Sequence, residues 1–253
     1  MNPPSSRIFH GSTRSGFTLA ELLVSVAVVA VLILFSLGVG MRVSLSGKAT
    51  INLANHRQIV GALLAYAGEH GGRLPLCYEN TGSVQKMTYT RKLVLLGYIR
   101  QPRIFFSPLA GKWYETNGMG ALQNPNLNSS VPWFYTNYGV NRYGAMPYDS
   151  STDGSRKPAS LLRVASEGNL SALMLLRDNY DPSYAPPNED RGGGRPWFSN
   201  AGYLPPASRN YNGQIHASFA DGHVEAFRYE EIKALMEKPK GEPPLFSERY
   251  TRD

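Results

Sequence analysis

The 253-residue chain has a single cysteine, Cys77. No intrachain disulfide can form, so packing and hydrogen bonding must hold the fold. Cys77 is expected to be a small, half-buried residue and not a reactive thiol. Acids are scarce: 19 Asp and Glu stand against 26 Lys and Arg, for a formal net charge of +7. The basic residues are scattered. There is no dense Lys/Arg block of the kind that marks a nucleic-acid face, so the surplus reads as a solvated surface. No nucleophile-elbow serine, phosphate-cradling glycine loop or paired-His zinc motif is present. Arg191-Gly192-Gly193-Gly194-Arg195 is glycine-rich, but it follows no predicted strand and opens no predicted helix. It reads as a flexible loop.

Charge is absent altogether from Leu22 to Met41. As a helix those 20 residues would span roughly 30 Å, about the thickness of a bilayer core. Val, Ala, Leu and Ile occupy every side of this helix, not one stripe. Conventional secretory signals have shorter apolar cores and a small-x-small cleavage site, and this run ends in Gly38-Val39-Gly40-Met41-Arg42 instead. An uncleaved anchor is the other alternative. Arg7 and Arg14 precede the run and no acid precedes Glu21, so the leader should stay in the cytoplasm and the C-terminal part should lie outside. A carboxylate at the edge of such a run is costly, so Glu21 needs a partner or a task.

Arg14-Ser15-Gly16-Phe17-Thr18-Leu19-Ala20-Glu21 and the run that follows resemble the class III signal sequence of type IV pilins and type II secretion pseudopilins. The resemblance implies that a membrane-embedded prepilin peptidase cuts between Gly16 and Phe17 and then methylates the new terminus, Phe17. It implies that Glu21 neutralises the terminus of a neighbouring subunit during assembly. The implied partners are that peptidase/methyltransferase, other pilin-like subunits, a secretion or pilus assembly machinery and the inner membrane. Glycine before the cut fits, because it offers a peptidase no side chain to avoid. Loss of the leader, with Arg7 and Arg14, would leave 24 basic against 19 acidic residues, or +5. The expected fold is α+β and pilin-like. It comprises a leader (1–16), a membrane half of the helix (17–41), an amphipathic half (42–72) and a globular domain outside the cytoplasm (73–253). A type IV or competence pilin that binds a surface or DNA is one alternative. A single-span anchored enzyme or binding module is another.

Beyond Met41 the periodicity predicts more helix. Ile59, Ala62, Leu63 and Tyr66 fall on one face, and Gly71-Gly72 with Pro75 should end it. Lys92–Ile99 reads as a short helix ending at Gly97, Ile104–Ser107 as a short buried strand, and Trp133–Asn141 as an aromatic strand. Ala172–Asp178 reads as a central strand, and residues 179–208 as a long surface loop. Asp221-Gly222 suits a two-residue type I′ hairpin pairing Phe219 with Val224 and Ala217 with Ala226. That register turns Ile215, Ala217, Phe219, Val224 and Ala226 to the core, and His216, Ser218, His223 and Glu225 to the other face. A last helix should run from Tyr229 to Glu237, before Pro239.

Asn55–Pro75, Asn137–Asn141 and Phe219-Ala220-Asp221-Gly222-His223-Val224 resemble a bacterial group of pilin-like proteins with a C-terminal His-x9-Asp-Gly segment. Here Tyr211 occupies the position of that histidine, so its role does not carry over. His216, His223 and Glu225 on one hairpin face are weak metal candidates. Asp178, Asp181, Glu189 and Asp190 border a loop that could offer oxygen ligands to calcium, and some pseudopilins bind calcium in such a loop. The competing readings are a solvated hairpin face and ordinary turn chemistry at Asp178-Asn179 and Asp181-Pro182. No cofactor is expected beyond that calcium. Tyr and Trp residues between 113 and 148 read as aromatic packing and not as a ligand surface.

Overall fold

The computed structural model describes residues 17–79, 87–109, 136–148, 157–180, 197–198, 204–205, 211 and 213–237, with the side chains of 34–43 and 197 excepted. The chain divides into two units, Met1–Ser44 and Leu45–Asp253. In the first unit the described residues form the start of helix α1 (Leu19–Glu69). Leu19, Leu22, Leu23, Val24, Val26 and their successors to Ile33 are exposed. Among the described residues no helix is long and apolar enough to cross a membrane.

In the second unit, the remainder of α1 packs on a five-stranded sheet. Ile59, Val60, Ala62, Leu63, Tyr66 and Ala67 are buried, the face that the periodicity predicts. The helix stops where expected. Gly71 and Gly72 take φ of 63° and 77°, and the Gly72 N–H closes on the Ala67 carbonyl (2.7 Å). After it come β1 (Tyr78–Glu79) and β2 (Met87–Thr88), an antiparallel pair too short for a sequence signal. Helix α2 (Tyr89–Leu95) follows, its N-cap Thr88 accepting from the Arg91 N–H, and Gly97 stands beyond its end at φ 81°.

Residues Pro102–Phe105 form a 3₁₀ turn where a strand was predicted. Pro102 opens that turn, and a short apolar run does not by itself distinguish strand from buried helix. Trp133–Tyr135 lie outside the described residues, and β3 occupies Tyr138–Asn141. Helix α3 is Leu161–Ser166, β4 Met174–Asp178, β5 Trp197–Phe198, β6 Gln214–Phe219, β7 Val224–Arg228 and α4 Tyr229–Glu237.

The sheet order is β5-β3-β4-β6-β7, antiparallel except for β3 with β5. Strand β4 is central, as predicted, and buried throughout. Helices cover both faces. Ile59 and Leu63 of α1 share a core with Tyr138, Val140 and Leu176. On the opposite face Ile232 and Met236 of α4 pack with Ile215, Ala217 and Phe219. Fully burying each large apolar side chain contributes about 1.5–3 kcal/mol, which anchors both helices.

The β6–β7 hairpin forms in a different register from the predicted one. Ser218 pairs with Val224, Ala217 with Glu225 and His216 with Ala226. The Gly222 N–H donates to the Phe219 carbonyl, and the Phe219 N–H to the His223 carbonyl. Gly222 takes φ 92°. Ala220-Asp221-Gly222 is therefore a three-residue loop with a left-handed glycine, not a type I′ pair. The register moves by one residue on β7, which leaves Ala226 exposed.

Candidate functional site

At the start of α1, Glu21 has a partner inside its own chain. Its Oε2 accepts from the Thr18 N–H (2.9 Å) and the Thr18 hydroxyl (2.8 Å). The Thr18 Oγ1 in turn accepts from the Glu21 N–H (3.3 Å). This Thr-x-x-Glu arrangement is a capping box, which satisfies orphan donors of the first turn reciprocally and sets a negative charge at the positive end of the helix. The three-residue spacing of Thr18 and Glu21 is the sequence signal for this box. Phe17 is exposed beside it. Gly16 and the leader lie outside the described residues.

A second constellation sits between α1 and the sheet. The polar residues Asn52, Asn55 and His56 of α1 occupy the same stripe as Ile59 and Leu63 and are buried. They meet Tyr138 of β3, Asp178 of β4, and His216 and Ser218 of β6. Asp178 Oδ1 accepts from Asn52 Nδ2 (2.8 Å) and lies 3.0 Å from His56 Nε2. Its Oδ2 accepts from the His216 N–H (2.7 Å). The Tyr138 hydroxyl accepts from Asn55 Nδ2 (3.0 Å) and donates to Asn52 Oδ1 (2.6 Å). Asn52 is thereby oriented, and its amide also meets His216 Nδ1 at 2.8 Å. The same nitrogen lies 3.4 Å from Asp178 Oδ2. Burial pushes the Asp178 carboxyl up, but bonds from His216 and His56 outweigh burial and hold it well below the usual carboxylate range. Burial raises the Tyr138 phenol.

The His56 Nδ1 lies 2.7 Å from Ser218 Oγ, which completes a Ser218–His56–Asp178 line. The order is that of a nucleophilic triad, yet Ser218 and His56 are both fully buried, so a substrate cannot reach the hydroxyl. What the cluster can do is fix α1 in one rotation and one register. An α1 turned or slid along the sheet leaves the buried carboxylate without its α1 donors, Asn52 and His56. Polar residues at i, i+3 and i+4 inside an apolar stripe were its signal in the sequence.

The His216, His223 and Glu225 set is not assembled. His216 faces α1 and is buried, whereas His223 is exposed beyond the end of β6. His223 pairs through Nδ1 with Asp221, stacks on Phe219 at 4.3 Å, and has Glu225 3.9 Å from Nε2. The solvated-face expectation thus fails for His216 and Ser218, because a helix covers that face. Asp178 bonds within the buried cluster. Asp181, Glu189, Asp190 and the Arg191–Arg195 loop lie outside the described residues. Among the described residues no group of three His, Cys, Asp or Glu could hold a metal ion. Tyr211 closes one side of the cluster, its ring 5.0 Å from His216 and its hydroxyl 2.6 Å from Ser107 Oγ. Cys77 is fully buried, not half-buried, and burial raises its thiol.

Residues 11–37 match the prokaryotic N-terminal methylation motif. The chain therefore begins as a type IV pilin-like protein does. No curated protein and no solved structure matches it. The motif takes in Phe17 and the Thr18–Glu21 box and ends before Asn52. It leaves the Asp221-Gly222-His223 segment outside the match. A long N-terminal helix packed on a largely antiparallel sheet is the corresponding pilin-like α+β layout.

Proposed function

We propose that this pilin-like chain is a structural, pseudopilin-like subunit. A prepilin peptidase cuts it between Gly16 and Phe17 and methylates Phe17. Residues 17–41 hold it in the inner membrane, and residues 42–72 and 73–253 lie outside the cytoplasm. The subunit is then drawn into a type II secretion or type IV pilus-like filament. The match over residues 11–37 is the observation that carries this reading. The exposed apolar surface from Leu19 to Ile33 supports it, because such a surface needs lipid or neighbouring helices around it. Both local bonds of Glu21 end on Oε2, which leaves Oε1 for the positive terminus of the next subunit. Pairing there would remove two charges from lipid at once.

The test is Gly16→Arg, expressed in a host with a prepilin peptidase. An arginine before the cut blocks the peptidase, so only full-length precursor should accumulate. Trimming at the wild-type position would overturn the assignment.

A further inference from the structure

A cleft of about 370 Å³ opens between α1 and the segment that follows α2. It is lined by Gln58 of α1 and by Tyr98, Ile99, Arg100, Gln101 and Ile104. Of these, Ile99 and Ile104 are buried, while Gln58, Arg100 and Gln101 are exposed. The Tyr98 hydroxyl donates to Glu69 (2.6 Å), which orients the ring. Exposed Arg57 and Arg103 adjoin lining residues in the chain. The Arg100 guanidinium and the Gln58 amide beside buried Ile99 and Ile104 suit a carboxylate that carries an aliphatic stem, with Gln101 at the edge of the contact.

The opposite side of the sheet bears the complement. Helix α4 buries Ile232 and Met236 and exposes Glu230, Ala234 and Glu237. Those three positions follow i, i+4, i+7 and make one stripe, with its carboxylates about 10 Å apart along the axis and half-buried Lys233 at its border. Glu231 is engaged within the chain by Arg228. Because α1 and α4 cover opposite faces of the sheet, the cationic cleft and the acidic stripe cannot meet within one molecule. They can meet only between copies, and contact between two different patches is heterologous and repeats without closing.

We infer that the Arg100 cleft receives the Glu230–Glu237 stripe of a second copy of this chain, a head-to-tail contact that propagates an array. The inference names the contact surface for the filament reading above and rests on that reading.

The experiment places Gln101→Cys and Ala234→Cys together in the full-length chain and treats membranes with a short bis-maleimide. Native Cys77 is fully buried and stays silent. The double variant should give a ladder of dimers, trimers and larger species, and two co-expressed single variants should give dimers alone. Arg100→Glu added to the double variant should reduce the ladder by roughly tenfold, as loss of one well-placed charge pair does. Adding Glu230→Arg and Glu237→Arg as well should restore it. No ladder from the double variant, dimers only, or a ladder indifferent to Arg100→Glu overturns the inference. Sheared filaments are scored in the same cells. Filaments without a ladder defeat this contact and leave the subunit reading standing. A ladder without filaments upholds the contact and defeats the filament.

Discussion

Asp178 is the residue on which the α1–sheet junction turns. It is a buried carboxylate with donors from α1 and β6. In Asp178→Asn one oxygen becomes a donor, which faces either the His216 N–H or the α1 donors. The substitution should destabilise the fold by about 2–4 kcal/mol, seen as a lower thermal midpoint with far-UV signal otherwise retained. The pH dependence has a definite sign. The folded-state pKa of Asp178 lies below its unfolded value, so its contribution is complete above the ordinary Asp range near pH 4 and is lost as pH falls below it. Melts of the wild type should therefore drop steeply below about pH 4, and Asp178→Asn should flatten that limb. An unchanged limb would place the acid sensitivity elsewhere. At this scale the sequence was least legible. Asp178 looked like a turn residue beside a loop because its partners lie far away, at positions 52, 56 and 216. Only the topology brings them together.

Among the elements, those with a strong local signal were legible. The stop of α1 at Gly71-Gly72 and the span of α4 from Tyr229 to Glu237 were both readable from glycine placement and periodicity. The hairpin was readable as a hairpin but not in register. An Asp-Gly pair serves a two-residue turn or the end of a three-residue one, and the choice depends on which face of β7 is needed. Gly222 supplies the left-handed conformation in either case. Gly222→Ala should cost about 1–2 kcal/mol through the backbone alone, because the added Cβ would meet only the Leu64 side chain at an ordinary 3.5 Å. Gly61→Ala makes the contrasting case. Gly61 is on the exposed side of α1 and an added Cβ meets nothing within 4 Å. It should stabilise the chain by about 0.5–1 kcal/mol. Denaturant titrations of the two variants should shift in opposite directions. The pairs β1–β2 and β3–β5 escaped sequence reading because two-residue strands carry no periodicity.

For the whole molecule, the N-terminal methylation motif precedes the folded domain in the chain. Thr18 and Glu21 cap α1, so Glu21→Ala removes a cap as well as a proposed assembly charge. The two roles separate by substitution. Thr18→Ala removes the reciprocal bonds and should cost about 1 kcal/mol of local helix stability while subunits still enter filaments. Glu21→Ala should leave cleavage largely intact and impair incorporation. Equal incorporation of Glu21→Ala and wild type would remove the charge-pairing step. The pilin-like class was legible at once, because Gly16, Phe17 and Glu21 precede an uncharged run. The packing of α1 on an antiparallel sheet was legible too, whereas the cover of α4 on the opposite face was not, because its partners Ile215, Ala217 and Phe219 are set by the hairpin register.

In the proposed function, other proteins process this chain into a subunit. The most direct measurement is the mass and sequence of the N-terminus of the mature protein, isolated from membranes of a host with a prepilin peptidase. The account predicts a chain that begins at Phe17 and carries an N-methyl group. A chain that begins at Met1, or that is cut after the apolar run, would contradict it.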